Sequence, residues 1–116
     1  MGPDYDRIEL FVPEGDRRSK TIPVDLHDRW VIRILRFCAE ELEGATALGR
    51  GVGAWMGSDG IAWDRVTVIE AWVHMRHRSY RAALARLRAL LLAMGRALRQ
   101  EAVGAIIGGK LVIARV

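Results

Sequence analysis

The stretch Ile61 to Met75, IAWDRVTVIEAWVHM, gives the strongest strand signal in the chain. Its residues alternate between two faces, with the period of two that a β-strand imposes on its side chains. One face carries Thr67, Ile69, Ala71 and Val73. The other face carries Val66, Val68, Glu70, Trp72 and His74. We predict that the first face packs against helices and that the second, still largely apolar, needs a cover of its own.

Strands and helices on both sides of this stretch follow from the same kind of periodicity. Further strands are predicted at Arg7 to Pro13, Ala45 to Met56, Ala102 to Ile107 and Lys110 to Val116. Apolar residues recur at helical spacing over Pro23 to Glu43 and over Arg78 to Arg99, so both segments are predicted to be amphipathic helices. Gly108-Gly109 marks a two-residue hairpin turn between the last two strands.

The order of these elements predicts the fold. It runs strand, helix, strand, strand, helix, strand, with a final hairpin strand, which matches the ferredoxin-like βαββαβ layout. We therefore predict an α+β fold with two helices on one face of an antiparallel sheet. The 116 residues are 51% hydrophobic and 28% charged. That length suits a single domain over residues 1–116, and that composition excludes intrinsic disorder.

The single cysteine and the lack of long apolar runs narrow the class of protein. Cys38 has no partner for an internal disulfide, and its apolar helical surroundings predict a buried structural thiol. The first residues lack the basic start and apolar run of a secretory signal. No stretch approaches the roughly 20 apolar residues of a membrane span. We therefore expect a cytoplasmic protein without a membrane partner.

Two short motifs resemble ion-binding sites, and each has a simpler explanation. The glycines of Gly49 to Gly53 alternate, but a helix precedes them and no Gly-Lys-Ser/Thr follows, so they predict a bent or bulged strand. His74 and His77 lie three residues apart, and only folding could bring His27 or Glu70 to them. A zinc site needs three or four protein ligands, so neither a metal nor a cofactor is predicted.

The second face of the predicted sheet holds the candidate ligand site. Its candidate ligand-binding residues are Glu9, Phe11, Trp55, Glu70, Trp72 and His74. Glu70 and His74 lie four residues apart on one strand, about 13 Å at 3.3 Å per residue. Each would therefore hold a different part of a ligand or meet its own partner. Alternatively, the whole face is a homodimer interface, since tryptophan is favoured at interface centres.

A run of arginines without acids marks the second helix. The net charge is +4, and seven arginines with no acidic residue fall between Ala71 and Gln100. Such a stretch favours an anionic partner, and arginine is suited to bidentate contacts with phosphate. The candidate nucleic-acid-binding residues are Arg78, Arg81, Arg88, Arg96 and Arg99. The simpler alternative is a solvated helix face.

Short motifs over most of the chain resemble a family of small bacterial proteins of unknown function. They are Glu9-Leu10-Phe11, Gly51 to Trp55, Asp64-Arg65 and Gln100 to Val103. The chain departs from the Phe-Pro-x-Gly pattern of that family around Leu42 to Ala45, and it lacks the export signal typical of its members. The family has no known activity, so the resemblance implies the ferredoxin-like layout and no particular chemistry.

Three function classes follow, in order of preference. The first is a homodimeric binding or structural module that associates through the apolar second face of its sheet. The second is a nucleic-acid binder that uses the arginine-rich helix. The third is a small-molecule enzyme with its site on the sheet face. No Ser/His/Asp or Cys/His set is placed to support nucleophilic catalysis, so the balance is against an enzyme.

Overall fold

A computed structural model describes residues 5–14, 24–74 and 79–116 of the chain. The elements are β1 Tyr5–Pro13, α1 Val24–Glu41, β2 Ala45–Gly57, β3 Gly60–His74, α2 Tyr80–Ala97, β4 Ala102–Ile107 and β5 Lys110–Arg115. Their order is the predicted one. The predicted ends at Pro23, Met75 and Arg78 lie outside the described residues. No helix in the described segments is long and apolar enough to cross a membrane.

The strands form one five-stranded sheet in the order β2-β3-β1-β4-β5, and every neighbouring pair is antiparallel. Strand β1 lies at the centre, where Glu9 is opposite Glu70 on one side and opposite Ile106 on the other. Strand β5 follows β4 through Gly108 and Gly109, whose φ angles of 58° and 81° suit the predicted two-residue turn. The predicted α+β, ferredoxin-like fold with a final hairpin strand is confirmed.

The core lies between the two helices and one face of the sheet, here called the inner face. Its strand side consists of Ile8, Leu10, Val12, Thr67, Ile69, Ala71, Val73, Val103, Ala105 and Ala114. The helices add Trp30, Ile34 and Cys38 from α1 and Ala83, Leu87, Leu91 and Met94 from α2. The prediction that the Thr67–Val73 face packs against helices is therefore confirmed. Burial also raises the pKa of the Cys38 thiol to about 11, as expected for a structural cysteine.

The β2–β3 hairpin is bent where the glycines begin. Its register shifts between Ala47 and Gly49, and Gly49 has a φ of 136°, which favours glycine. The predicted bulged strand is confirmed. Towards the tip, neither of the two described helices packs on the inner side of the hairpin, and the large apolar residues there are exposed. These are Val52, Met56, Ile61 and Trp63.

Candidate functional site

The opposite face of the sheet, here called the outer face, carries the predicted ligand-binding residues. Pairing across the strands places Glu9, Phe11, Trp55, Glu70, Trp72 and His74 on it together. They do not form one group. Trp55 is opposite Ala62, ten residues along β3 from Trp72, which is about 33 Å at 3.3 Å per residue. Only the central three, Glu9, Glu70 and Trp72, are brought into contact with a common neighbour.

That neighbour is Arg7. Its Nη2 lies 3.1 Å from Oε1 of Glu9 and 2.6 Å from Oε2 of Glu70. Its guanidinium carbon lies 6.0 Å from the centre of the Trp72 ring, and the Trp72 Nε1–H donates to Oε1 of Glu70 at 3.2 Å. We call these four residues the outer-face cluster. It combines an aromatic ring, two carboxylates and one guanidinium, connected by the contacts Arg7–Glu9, Arg7–Glu70 and Trp72–Glu70.

The charges of the outer-face cluster do not balance. Two carboxylates directly opposite each other on neighbouring strands would repel, and Arg7 offsets that repulsion by contacting both. With all three groups ionised the cluster keeps a formal charge of −1. The side chains of Glu9 and Glu70 are 22% and 21% exposed, so both carboxylates remain accessible to a bound molecule. The arrangement suits a ligand with an aromatic part and a positive or hydrogen-bond-donating part.

His74 lies outside the cluster. Its ring meets the Tyr5 ring edge-on, with centroids 4.9 Å apart. Its backbone N–H donates to Oε2 of Glu43 at 2.6 Å. Glu70 and His74 thus contact different neighbours.

Phe11 and Trp55 complete the apolar part of the outer face. Phe11 is half-buried opposite Val68. Trp55 is exposed near the hairpin tip, where its Nε1–H donates to Oδ2 of Asp64 at 3.1 Å. Trp55 is remote from the outer-face cluster, whereas Phe11 lies two residues along β1 from Glu9, and both contribute apolar surface to this face.

The predicted arginine stripe lies on the far side of the sheet from the outer-face cluster. Arg81, Arg88, Arg96 and Arg99 are all exposed, and Arg78 lies outside the described residues. Arg86, which was not among the predicted contact residues, donates from Nε to Oε1 of Glu41 at 2.7 Å and joins α2 to α1. The stripe thus keeps four exposed guanidinium groups on the helical layer.

A second polar cluster, missed by the sequence analysis, lies on the inner side of the hairpin. His27 Nε2 is 2.9 Å from Thr67 Oγ1, and His27 Nδ1 is 2.9 Å from Oδ1 of Asp28. The Thr67 hydroxyl donates to Oε1 of Glu14 at 3.5 Å, and Arg50 Nε is 2.9 Å from the same oxygen. This series of polar contacts connects the end of β1 and the start of α1 to the β2–β3 hairpin. No spacing in the sequence indicates it, because its members come from four separate elements or their ends.

The sequence offered His74 and His77, with His27 or Glu70, as possible metal ligands, and the structure separates two of them. His27 bonds to Thr67 on the inner face, whereas Glu70 lies on the outer face, so the two cannot share a ligand set. His77 lies outside the described residues. Among the residues that the structure describes, no group of three or more His, Cys, Asp and Glu side chains is placed to hold a metal ion.

Comparison with known proteins supports the fold. No family model and no curated protein matches the chain. A phage SAM lyase in complex with S-methyl-5'-thioadenosine is similar in structure, with a TM-score of 0.70, 14% identity, and coverage of 100% of this chain and 93% of that one. A phage SAM lyase in the apo state is also similar, with a TM-score of 0.57, 14% identity, and coverage of 97% of this chain and 88% of that one.

A third similar structure is CutA from Xylella fastidiosa. It has a TM-score of 0.52 and 20% identity, and the likeness covers 75% of this chain and 71% of that one. Likenesses at such identity establish a small ferredoxin-like fold. The ferredoxin-like layout implied by the resemblance to small bacterial proteins is consistent with these folds.

Proposed function

We propose that the chain acts as a single domain that associates with a second copy of itself through the outer face of its sheet. The observation that carries the proposal is the large apolar surface left open there. Tyr5, Trp55, Trp72, Leu111 and Ile113 are between 48% and 61% exposed and come from four of the five strands. A surface of this kind, with tryptophans in it, is typical of a face that another subunit covers.

A contact of standard size would take a modest share of the surface of the chain. The chain has 7631 Å² of accessible surface. A standard interface takes roughly 800 Å² from each partner, close to a tenth of that surface. In a two-fold dimer each copy uses the same surface patch, so the outer face of one copy would pack against the outer face of the other.

Light scattering at micromolar concentration tests the association. We expect a mass of twice 13.0 kDa for the wild type. Trp72→Asp places a charge in the middle of the outer face, so we expect it to give a monomer with an unchanged circular dichroism spectrum. Ile32→Asp is the matched control, because Ile32 is an exposed apolar residue on α1. A wild type that stays a 13.0 kDa monomer would refute the proposal.

We propose further that the outer-face cluster is the polar centre of a ligand site on this face. Trp72 offers a ring for stacking, and the carboxylates of Glu9 and Glu70 accept hydrogen bonds. The phage SAM lyase whose fold covers this whole chain is described in complex with S-methyl-5'-thioadenosine. An adenosyl thioether or sulfonium compound has the features the cluster suits, namely a flat base, ribose hydroxyl donors and, in the sulfonium, a positive charge.

Calorimetric titration with S-methyl-5'-thioadenosine and with S-adenosylmethionine tests the ligand. We expect saturable binding of both, with the sulfonium favoured by the formal charge of −1 on the cluster. Glu70→Gln should weaken binding about tenfold through loss of a charged acceptor. The control is Glu40→Gln, an exposed carboxylate on α1. Absence of binding at millimolar concentration would remove this ligand class and leave the association proposal standing.

A second candidate is an enzyme that cleaves S-adenosylmethionine at the same site. The observation that favours it is the excess of carboxylate over guanidinium beside Trp72. Release of S-methyl-5'-thioadenosine breaks the bond between the sulfur and the γ carbon of the methionyl part, and the electron pair of that bond cancels the charge on the sulfur. The carboxylate oxygen of the same substrate supplies a new pair to the γ carbon and closes a lactone, so no further reactant is needed. Mass spectrometry of the products after incubation with S-adenosylmethionine tests it. We expect product with the wild type and much less with Glu70→Gln, and product formation equal to the enzyme-free rate would exclude it.

A third candidate, binding of nucleic acid, rests on the helical layer. From Tyr80 to Ala97, α2 has four arginines and no acidic residue. Arg81, Arg88 and Arg96 recur at intervals of seven and eight residues, so they lie along one side of the helix. A phosphate backbone would be contacted by charge rather than by base sequence, and the binding would be strongly dependent on salt.

A further inference from the structure

A groove on the inner side of the sheet is separate from the outer-face cluster. It lies between α2 and strands β4 and β5 and has a volume of about 270 Å³. Ten of its lining residues are apolar, and the remaining one is Arg88. The groove has space because β4 and β5 place small side chains, those of Ala105 and Ala114, opposite Leu87 and Leu91 of α2.

The groove is a consequence of the strand count. A helix with its side chains is about 10 Å wide and strands are about 4.8 Å apart, so two helices cover roughly four strands. This sheet has five. The fifth strand, β5, is therefore only partly covered by α2: Ala114 is buried, whereas Val112, which points to the same side, is 39% exposed.

Arg88 gives the groove a specific chemistry. It is exposed on α2, next to Leu87 and one turn from both Leu84 and Leu91, which line the groove. Within residues 5–14, 24–74 and 79–116 no carboxylate pairs with it, and α2 itself has no acidic residue. A cation without a partner beside an apolar channel complements a molecule that has an apolar body and one anionic end.

We propose that this groove binds an acyl-chain carboxylate, with the chain along β4 and β5 and the carboxylate at Arg88. An apolar cavity of about 150 Å³ holds benzene, which has six carbon atoms, so by proportion the groove has room for about ten. A medium-chain fatty acid matches both the length and the charge. The site is independent of the outer face, so it can be occupied whether or not two copies associate.

Titration of the full chain with decanoate, followed by amide NMR below the micellar concentration of decanoate, tests the proposal. We expect saturable shifts confined to α2, β4 and β5. Each methylene removed between decanoate and hexanoate should weaken binding by up to about fourfold. Decylamine, which has the same chain and the opposite charge, should not bind. Shifts that never saturate, or equal binding of decylamine, would overturn the proposal.

Two variants locate the ligand in the groove. Arg88→Gln should weaken decanoate binding about fivefold while keeping the preference for longer chains. Val112→Trp fills the half-open floor and should abolish binding. Arg115→Gln is the control, because Arg115 is an exposed arginine on the outer side of β5. If Val112→Trp instead changes the oligomeric mass and leaves decanoate binding intact, the groove is a contact between copies and the proposal is wrong.

Discussion

The indole Nε1–H of Trp55 donates to the carboxylate of Asp64 at 3.1 Å, across the position of Gly53. A Cβ atom at Gly53 would lie 2.2 Å from Oδ1 of Asp64 and 2.8 Å from Nε1 of Trp55. The hydrogen bond therefore depends on the missing side chain between its two partners. It is the one polar contact that orients a large apolar residue near the hairpin tip on the outer face, among the residues the structure describes.

Replacement of Gly53 by alanine should break this bond. We expect Gly53→Ala to lower the free energy of unfolding by about 1 kcal/mol and to move the indole N–H signal of Trp55 in NMR spectra. Gly51→Ala is the matched control, because its Cβ would meet Val68 and Val66 at the ordinary distances of 3.5 and 3.6 Å. Equal effects of the two alanines would show that the Trp55–Asp64 bond contributes nothing measurable.

Stability at high pH should depend on Tyr80. Burial, with the hydrogen bond and the charge of Asp6, raises the pKa of Tyr80 from about 10 to about 12. A group whose pKa is higher in the folded state stabilises the fold below its unfolded pKa and loses that contribution as the pH rises through the folded one. The contribution of Tyr80 is therefore complete below pH 10 and lost between pH 10 and 12.

Denaturation of the wild type and of Tyr80→Phe at pH 8, 10, 11 and 12 measures this contribution. The difference in unfolding free energy between the two proteins should shrink as the pH rises. Cys38 also titrates in the alkaline range, and because both proteins retain it the comparison isolates the tyrosine. A difference that stays constant from pH 8 to 12 would contradict the assignment.

The thiol of Cys38 should be inert while the protein is folded. With a pKa of about 11 it is about a thousandth ionised at pH 8, and it is fully buried besides. We expect thiol reagents to modify the native protein at least about a hundredfold more slowly than the unfolded chain. Rapid modification under native conditions would mean that α1 opens far more often than its buried face implies.

Binding of nucleic acid, if it uses α2, should show a specific salt dependence. Each phosphate contact adds about 0.9 to the slope of log K against log salt for duplex DNA, so replacing Arg81, Arg88 and Arg96 by glutamine should reduce the slope by roughly three units. Fluorescence anisotropy with a labelled duplex at several salt concentrations measures it. An unchanged affinity in the triple variant would assign these arginines to a solvated helix face.

The fold followed from the sequence because each element carries its own period. The alternation over Ile61 to Met75 assigned the inner and outer faces of β3 before any pairing was known. The glycines of β2 and the Gly108-Gly109 turn likewise act over a few residues, so local reasoning recovered the bulge and the last hairpin.

The site was recovered only in part, because contacts between strands depend on register. Glu9, Glu70 and Trp72 were chosen for their face, but Arg7, which joins them, was passed over as the first residue of a strand. The sequence does indicate that Arg7 lies on the outer face, because Arg7 is two residues before Glu9 on the same strand and so points to the same side. The contact of His27 with Thr67 had no such signal, because a helix position relative to a strand is fixed only by packing.

The central place of β1 also sets the order in which the sheet can close during synthesis. Glu9 is synthesised before both of its neighbours in the sheet, which are Glu70 on one side and Ile106 on the other. The β2–β3 hairpin and the β4–β5 hairpin pair within themselves as soon as they are made. Strand β1 must wait with both edges open until β3 is made and with one edge open until β4 is made, and the nascent protein is most exposed to wrong partners during that interval.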